Sequence, residues 1–196
     1  MKLLFGICGS FCCHESALAV LQGLASAGHS VTPVISENAA TLDTRFGSSG
    51  SIVEKAESIC SRSAILTIPH AEKIVTSGGF DAMAIVPCTG NTLSKLASAT
   101  TDTPVTMAAK AMLRNKKPIV IAFASNDGLS GSLKNIATLL ERKNFYFVPL
   151  RQDDFVNKPS SLVCDFSLTE HTITAAISGK QLQPVFRAPS GKEKNQ

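Results

Sequence analysis

Short apolar runs alternate with stretches of helical period along most of the chain, and this alternation does most to narrow the fold. "KLLFGIC" (2–8), "SVTPVIS" (30–36), "AILTI" (64–68), "AMAIV" (82–86), "PIVIAFA" (118–124) and "FYFVP" (145–149) read as strands. "PIVIAFA" is the most buried of them on composition. From His14 to Ala27, Ala17, Leu18, Leu21, Leu24 and Ala25 recur at three- and four-residue spacing, which makes one apolar helix face. Gly28 then suits the left-handed position at a helix end. Residues 51–61, 92–99, 104–114, 131–143 and 169–179 read as further helices. Pro104 fits a first helical turn, where a missing N–H costs nothing. Pro33 cannot donate a ladder bond, so its strand is expected at an edge or a bulge.

Strands separated by helices imply right-handed crossovers, hence an α/β fold: a doubly wound, Rossmann-like parallel sheet covered on both faces. Ligands in such sheets bind beyond the carboxyl ends of the strands. Those ends are 8–14, 36–48, 87–92, 124–132 and 149–159. At 196 residues one domain is expected, over 1–186, followed by a polar and disordered tail at 187–196.

Composition removes several function classes. A net charge of +4, one Tyr and no Trp do not suit a nucleic-acid binder. No run has the length of a membrane span. The opening "MKLLFGICGSFCC" is broken by Gly6, Gly9 and Ser10 and leads at once into an amphipathic helix, so it reads as a strand rather than a signal peptide, and the expected location is the cytoplasm. The six cysteines and four histidines are scattered, with no C-x-x-C pair, so no metal site is expected and buried reduced thiols are the better reading.

The strand ends carry the chemistry. "GICGSFCCHES" places a Gly-Ser turn before a helix, where backbone N–H groups and the helix dipole favour an anion such as a phosphate; a plain tight turn is the other reading. His14, just beyond, reads as a surface residue. "PCTGNTLSK" offers Thr89, Asn91 and Thr92, either as helix caps or as hydrogen-bonding groups for an aromatic heterocycle. Asp102 could cap the helix that begins at Pro104. Two such loops from two strands favour a bound cofactor. There is no G-x-S-x-G elbow, and the adjacent Asp153 and Asp154 make a poor acid/base couple.

"GICGSFC" and "VPCTGNTLSKLASATTDTPVTMAAKA" resemble the flavoprotein family that includes the homo-oligomeric flavin-containing cysteine decarboxylases. In that family the Gly-Ser turn holds the FMN phosphate, and a Pro-x-Ser/Thr-x-Asn-Thr-x-x-Lys stretch lines the flavin. The resemblance therefore implies FMN held by Gly9, Ser10, Phe11, Ser36, Pro87, Thr89, Gly90, Asn91, Thr92 and Asp102. "TRFG" (44–47), "SNDGL", "QDDF" (152–155) and "QLQP" resemble, more narrowly, the B-subunit branch of dipicolinate synthases, over roughly residues 1–186. That branch implies formation of pyridine-2,6-dicarboxylate from a dihydrodipicolinate-type precursor in the mother cell of a sporulating bacterium. It also implies a dipicolinate synthase A-type partner that carries NAD(P), and a homo-oligomer, trimeric or dodecameric. Arg45 is the first candidate clamp for a substrate carboxylate, because guanidinium matches carboxylate bidentately; Lys95 is a weaker one. The decarboxylases' His before the "VP" strand has no counterpart at matching spacing, since His70 lies too far from Pro87. A stand-alone FMN-dependent decarboxylase, a flavin prenyltransferase-like enzyme and a non-catalytic flavin-binding assembly protein are the alternative readings.

Overall fold

The computed structural model describes residues 1–188. Five parallel strands build the sheet: β1 (Lys2–Ile7), β2 (Ser30–Ile35), β3 (Ala82–Cys88), β4 (Ile119–Ser125) and β5 (Phe145–Phe147). Their order is β2-β1-β3-β4, with β5 on the first half of β4. All seven residues of β3 are buried, as are all seven of "PIVIAFA" (118–124), with only Ser125 at the end of β4 half-buried. Burial on both faces is what a parallel sheet between helix layers requires.

The helices are α1 (His14–Ser26), α2 (Glu37–Thr41), α3 (Ser49–Cys60), α4 (Ile68–Ser77), α5 (Gly90–Ala97), α6 (Pro104–Arg114), α7 (Leu133–Glu141) and α8 (Thr169–Ile177). One layer packs α1 against α3 and α8; the other packs α4 against α6 and α5 against α7. α1 turns Ala17, Leu21 and Leu24 inward. It stops at Gly28, whose φ of +81° lets the Gly28 and His29 N–H groups donate back to Ala25 and Leu24 carbonyls. Gly6 lets α6 close on the sheet: a Cβ there would lie 3.3 Å from Val105 Cγ1 and from Met83 Cε.

Two expectations change. "AILTI" is not a strand, because only Ile65 bridges to Val34. Thr67 caps the His70 N–H and Pro69 enters the first turn, so the apolar run is interrupted by a helix start, that of α4. The sheet is also not wholly parallel. β7 (Leu162–Cys164) runs antiparallel to the end of β4, pairing Ala124 with Val163, and β6 (Leu150–Gln152) runs antiparallel to β7. β2 does lie at the sheet edge, and Ile65 covers it by donating to Pro33 O and accepting from Ile35 N–H. Arg187, at the start of the polar tail, is held by its N–H to Leu150 O and by an ion pair with Asp165; residues 189–196 of that tail lie outside the described residues.

Candidate functional site

The ends of β1, β2, β3 and β4 are tied to one another through the turn after β1. Cys8 N–H donates to Pro87 O at 3.3 Å, which links β1 to β3. Ser36 N–H donates to Ile7 O at 2.9 Å, which links β2 to β1. Ser10 Oγ lies 3.5 Å from Ala124 O at the end of β4. Thr92 Oγ1 donates to Cys8 Sγ at 3.3 Å from the first turn of α5. Pro87 sits where the β3–β4 register shifts, a place where its missing N–H breaks no ladder.

Within the turn, Ser10 N–H donates to Cys8 O and Cys13 N–H to Ser10 O, both at 2.9 Å. A 3₁₀ turn over Phe11–Cys13 then runs into α1. The first N–H groups of a helix lack intrahelical partners, and here the Ser10 hydroxyl makes no cap bond with them. It is directed instead toward Cys13 Sγ at 3.7 Å. The half-exposed Ser10 hydroxyl stands at the positive end of α1, a setting that favours a phosphate. Gly9 has no close neighbour that forbids a side chain; a Cβ would meet only the Phe11 ring at 3.5 Å and Asn38 at 3.7 Å.

His14 is half-buried and hydrogen-bonded, not a free surface residue. Its Nε2–H donates to Cys8 O at 2.9 Å, its ring packs 5.3 Å from that of Phe11, and burial pushes its pKa down. The neutral imidazole braces the turn, and its Nε2 is already engaged.

At the end of β3, Thr89 caps α5: its Oγ1 accepts from Thr92 N–H and donates to Thr92 Oγ1, each at 3.1 Å. Thr92 is buried, so its hydroxyl serves the Thr89–Cys8 chain, while Asn91 stands exposed on the first turn. Gly90 touches the loop after β4. A Cβ on it would lie 2.8 Å from Ser132 Oγ, 3.3 Å from Ser125 Oγ and 3.4 Å from Asp127 Oδ1. Ser125 and Ser132 both direct their hydroxyls to Asp127, so Ser125, Asp127 and Ser132 join the site face. In the sequence only the position of 124–132 at a strand end signals a role for these residues.

The remaining candidates are Ser36, Arg45, Asp102 and Lys95. Ser36 is buried and caps α2 through Ala39 N–H. Arg45 is exposed with its guanidinium 4.8 Å over the Phe46 ring, in a loop whose Thr44 and Phe46 share a cleft with Phe11 and His14. Asp102 does not cap α6; Thr103 does, in a capping box with Thr106. Asp102 pairs with Lys95 at 2.8 Å, and this hydrogen bond lowers its pKa. Asp102 and Lys95 are thus brought to each other.

The thiols are not uniformly buried. Cys8, Cys88 and Cys164 are, but Cys13 and Cys60 are half-buried and Cys12 is exposed. Burial raises the Cys8 and Cys13 thiols to about 11, and Cys88 and Cys164 are pushed up by burial as well. These four remain protonated at neutral pH and are poor nucleophiles there.

A flavoprotein family model matches residues 1–180. The chain belongs to the flavoprotein family. Within it, the chain is 40% identical to the dipicolinate synthase B subunit of Bacillus subtilis over 182 residues, which covers 93% of this chain and 91% of that one. The crystal structure of the dipicolinate synthase B subunit from Bacillus halodurans superposes with a TM-score of 0.87 at 39% identity, over 95% of each chain. A dodecameric FMN-dependent UbiX-like decarboxylase from Escherichia coli shares the flavoprotein fold, with a TM-score of 0.64 at 23% identity over 93% of this chain and 96% of that one.

Proposed function

We propose that this flavoprotein is the B subunit of a dipicolinate synthase, and that it works with a nicotinamide-dependent A subunit to form pyridine-2,6-dicarboxylate. The observation that carries the reading is the 40% identity to a dipicolinate synthase B subunit over 93% of the chain. The reaction removes two electrons and two protons from a dihydrodipicolinate-type ring, and NAD(P) on the partner chain is the acceptor.

The strand-end face suits binding better than proton transfer. Four of its thiols are held protonated and His14 Nε2 is engaged by Cys8 O. The turn at Gly9, Ser10 and Phe11 fits the phosphate of FMN, and Pro87, Thr89, Gly90 and Asn91 would border its ring, with Thr92 holding the Cys8 turn in place. A bound flavin supplies two-electron redox chemistry that no side chain here has. Arg45, exposed at the neighbouring loop, is the clamp for a substrate carboxylate. The chain works as a homo-oligomer in the cytoplasm of a sporulating mother cell.

The test is product formation from the dihydrodipicolinate precursor and NAD(P). The reading expects pyridine-2,6-dicarboxylate from the two chains together and none from this chain alone. Turnover by this chain alone would overturn it.

A further inference from the structure

Cys12 and Cys13 are neighbours in sequence and their Sγ atoms lie 3.8 Å apart. Cys12 is exposed and Cys13 half-buried, so an oxidant in solvent reaches the first and the second stands next to it. Both belong to the 3₁₀ turn that follows Ser10, and Cys13 Sγ accepts the Ser10 hydroxyl at 3.7 Å. We propose that Cys12 and Cys13 form a redox-sensitive dithiol that closes to a vicinal disulfide and thereby switches off anion binding at the Gly9–Phe11 turn. This rests on the flavin reading of that turn for its consequence, but not for its chemistry.

The step balances with a peroxide as the oxidant. Cys12 sulfur attacks one peroxide oxygen; an S–O bond forms, the O–O bond breaks and one water leaves, giving a sulfenic acid. Cys13, a slow nucleophile while protonated but held 3.8 Å from Cys12, gives up its thiol proton as its sulfur displaces the sulfenic oxygen; the S–S bond forms and a second water leaves with that proton. Two thiols lose two electrons and the peroxide gains them. The order follows from access, because Cys13 is partly shielded.

Closure must reshape the turn. Adjacent Cα atoms are about 3.8 Å apart across a trans peptide, shorter than the roughly 4.4–6.8 Å that disulfides span without strain. The bridge therefore pulls Phe11–Cys13 out of 3₁₀ geometry and rearranges the backbone that carries the Ser10 hydroxyl at the start of α1. The Ser10 hydroxyl also loses its thiol acceptor. Strained bridges are readily reduced, so a dithiol reductant should reverse the change.

The test treats the full chain with hydrogen peroxide and follows two readouts. Mass spectrometry of the peptide that holds both cysteines should show a loss of about 2 Da, the two thiol hydrogens, with no alkylation at either thiol. FMN titration should show affinity reduced about tenfold or more, which is 1.4 kcal/mol, and restored by dithiothreitol. Cys12→Ser should bind FMN as the untreated chain does and should not respond to peroxide. An unchanged peptide mass, a bridge between two chains, or a bridged peptide with unchanged FMN affinity would each overturn the switch. Failure of the reduced protein to take FMN overturns the flavin reading and, with it, the consequence claimed here, while the mass readout still judges the dithiol.

Discussion

Replacing Gly90 with Ala tests how the β3 and β4 ends are fitted together. The new Cβ would stand 2.8 Å from Ser132 Oγ, with Ser125 Oγ at 3.3 Å and Asp127 Oδ1 at 3.4 Å. Ser132 is only 3% exposed, so it has little room to move, and turning it away gives up its approach to Asp127 at 3.5 Å. Overpacking of this kind costs about 1–3 kcal/mol. Alanine recovers about 0.4–1 kcal/mol by restricting the unfolded chain, which leaves a net loss centred on about 1.3 kcal/mol and no more than about 2.6 kcal/mol. For a chain of this size the central value lowers Tm by roughly 3–5 °C. Gly23→Ala is the control, because Gly23 lies inside α1 and a Cβ there meets nothing within 4 Å. It should raise stability by about 0.5–1 kcal/mol. Urea denaturation of both variants, and of Gly90→Ala combined with Ser132→Ala, makes the comparison. The double variant should regain part of the loss, since the offending hydroxyl is gone. A Gly90→Ala protein as stable as Gly23→Ala would refute the packing argument.

Two further outcomes follow from the site. Burial lowers the His14 pKa, so the fold favours the neutral ring; its contribution is full above the unfolded value of about 6.5 and is lost as pH falls through the folded pKa. Urea midpoints between about pH 5 and pH 8 should therefore fall on the acid side in the wild type and flatten in His14→Gln, which retains an N–H donor without titrating; equal slopes in both would remove His14 as the cause. In the reconstituted two-chain assay, Arg45→Ala should raise KM for the dicarboxylate substrate about tenfold or more, through loss of a charge-assisted contact of about 1.5–3 kcal/mol, and an unchanged KM would remove Arg45 from the clamp.

Much of the fold was legible because its signals are periodic and local. The buried runs of β1, β3 and β4 and the inward face of α1 follow from residue spacing alone. Pro33 announced an edge strand, and Gly28 the end of α1, each through a backbone property that needs no tertiary context. The antiparallel β6 and β7 were not legible: three-residue strands carry no period, and they exist because the end of β4 offers a free edge. "AILTI" misleads because its β-branched residues suit a strand, while Thr67 and Pro69 start a helix.

The site was legible by place and less so by role. The strand-end rule and the Gly-Ser turn pointed to the right loops, but hydroxyls have more than one partner available. Thr92 bonds inward to Cys8, Asp102 bonds to Lys95 rather than capping α6, and His14 is drawn in by Cys8 O. The contact of Gly90 with Ser132 joins residues 42 positions apart, and nothing in either segment announces it.

The most direct test of the site is FMN binding by the purified chain and by Ser10→Glu. The wild type should take up one flavin per chain, measured by titration and visible absorption. Ser10→Glu should weaken binding by about a hundredfold or more, because a carboxylate replaces the hydroxyl where the phosphate's charge must sit. Thermal unfolding without FMN should differ little between the two proteins. Equal FMN affinity in wild type and Ser10→Glu would contradict the placement of the phosphate, and a wild-type chain that takes up no flavin would contradict the flavin reading itself.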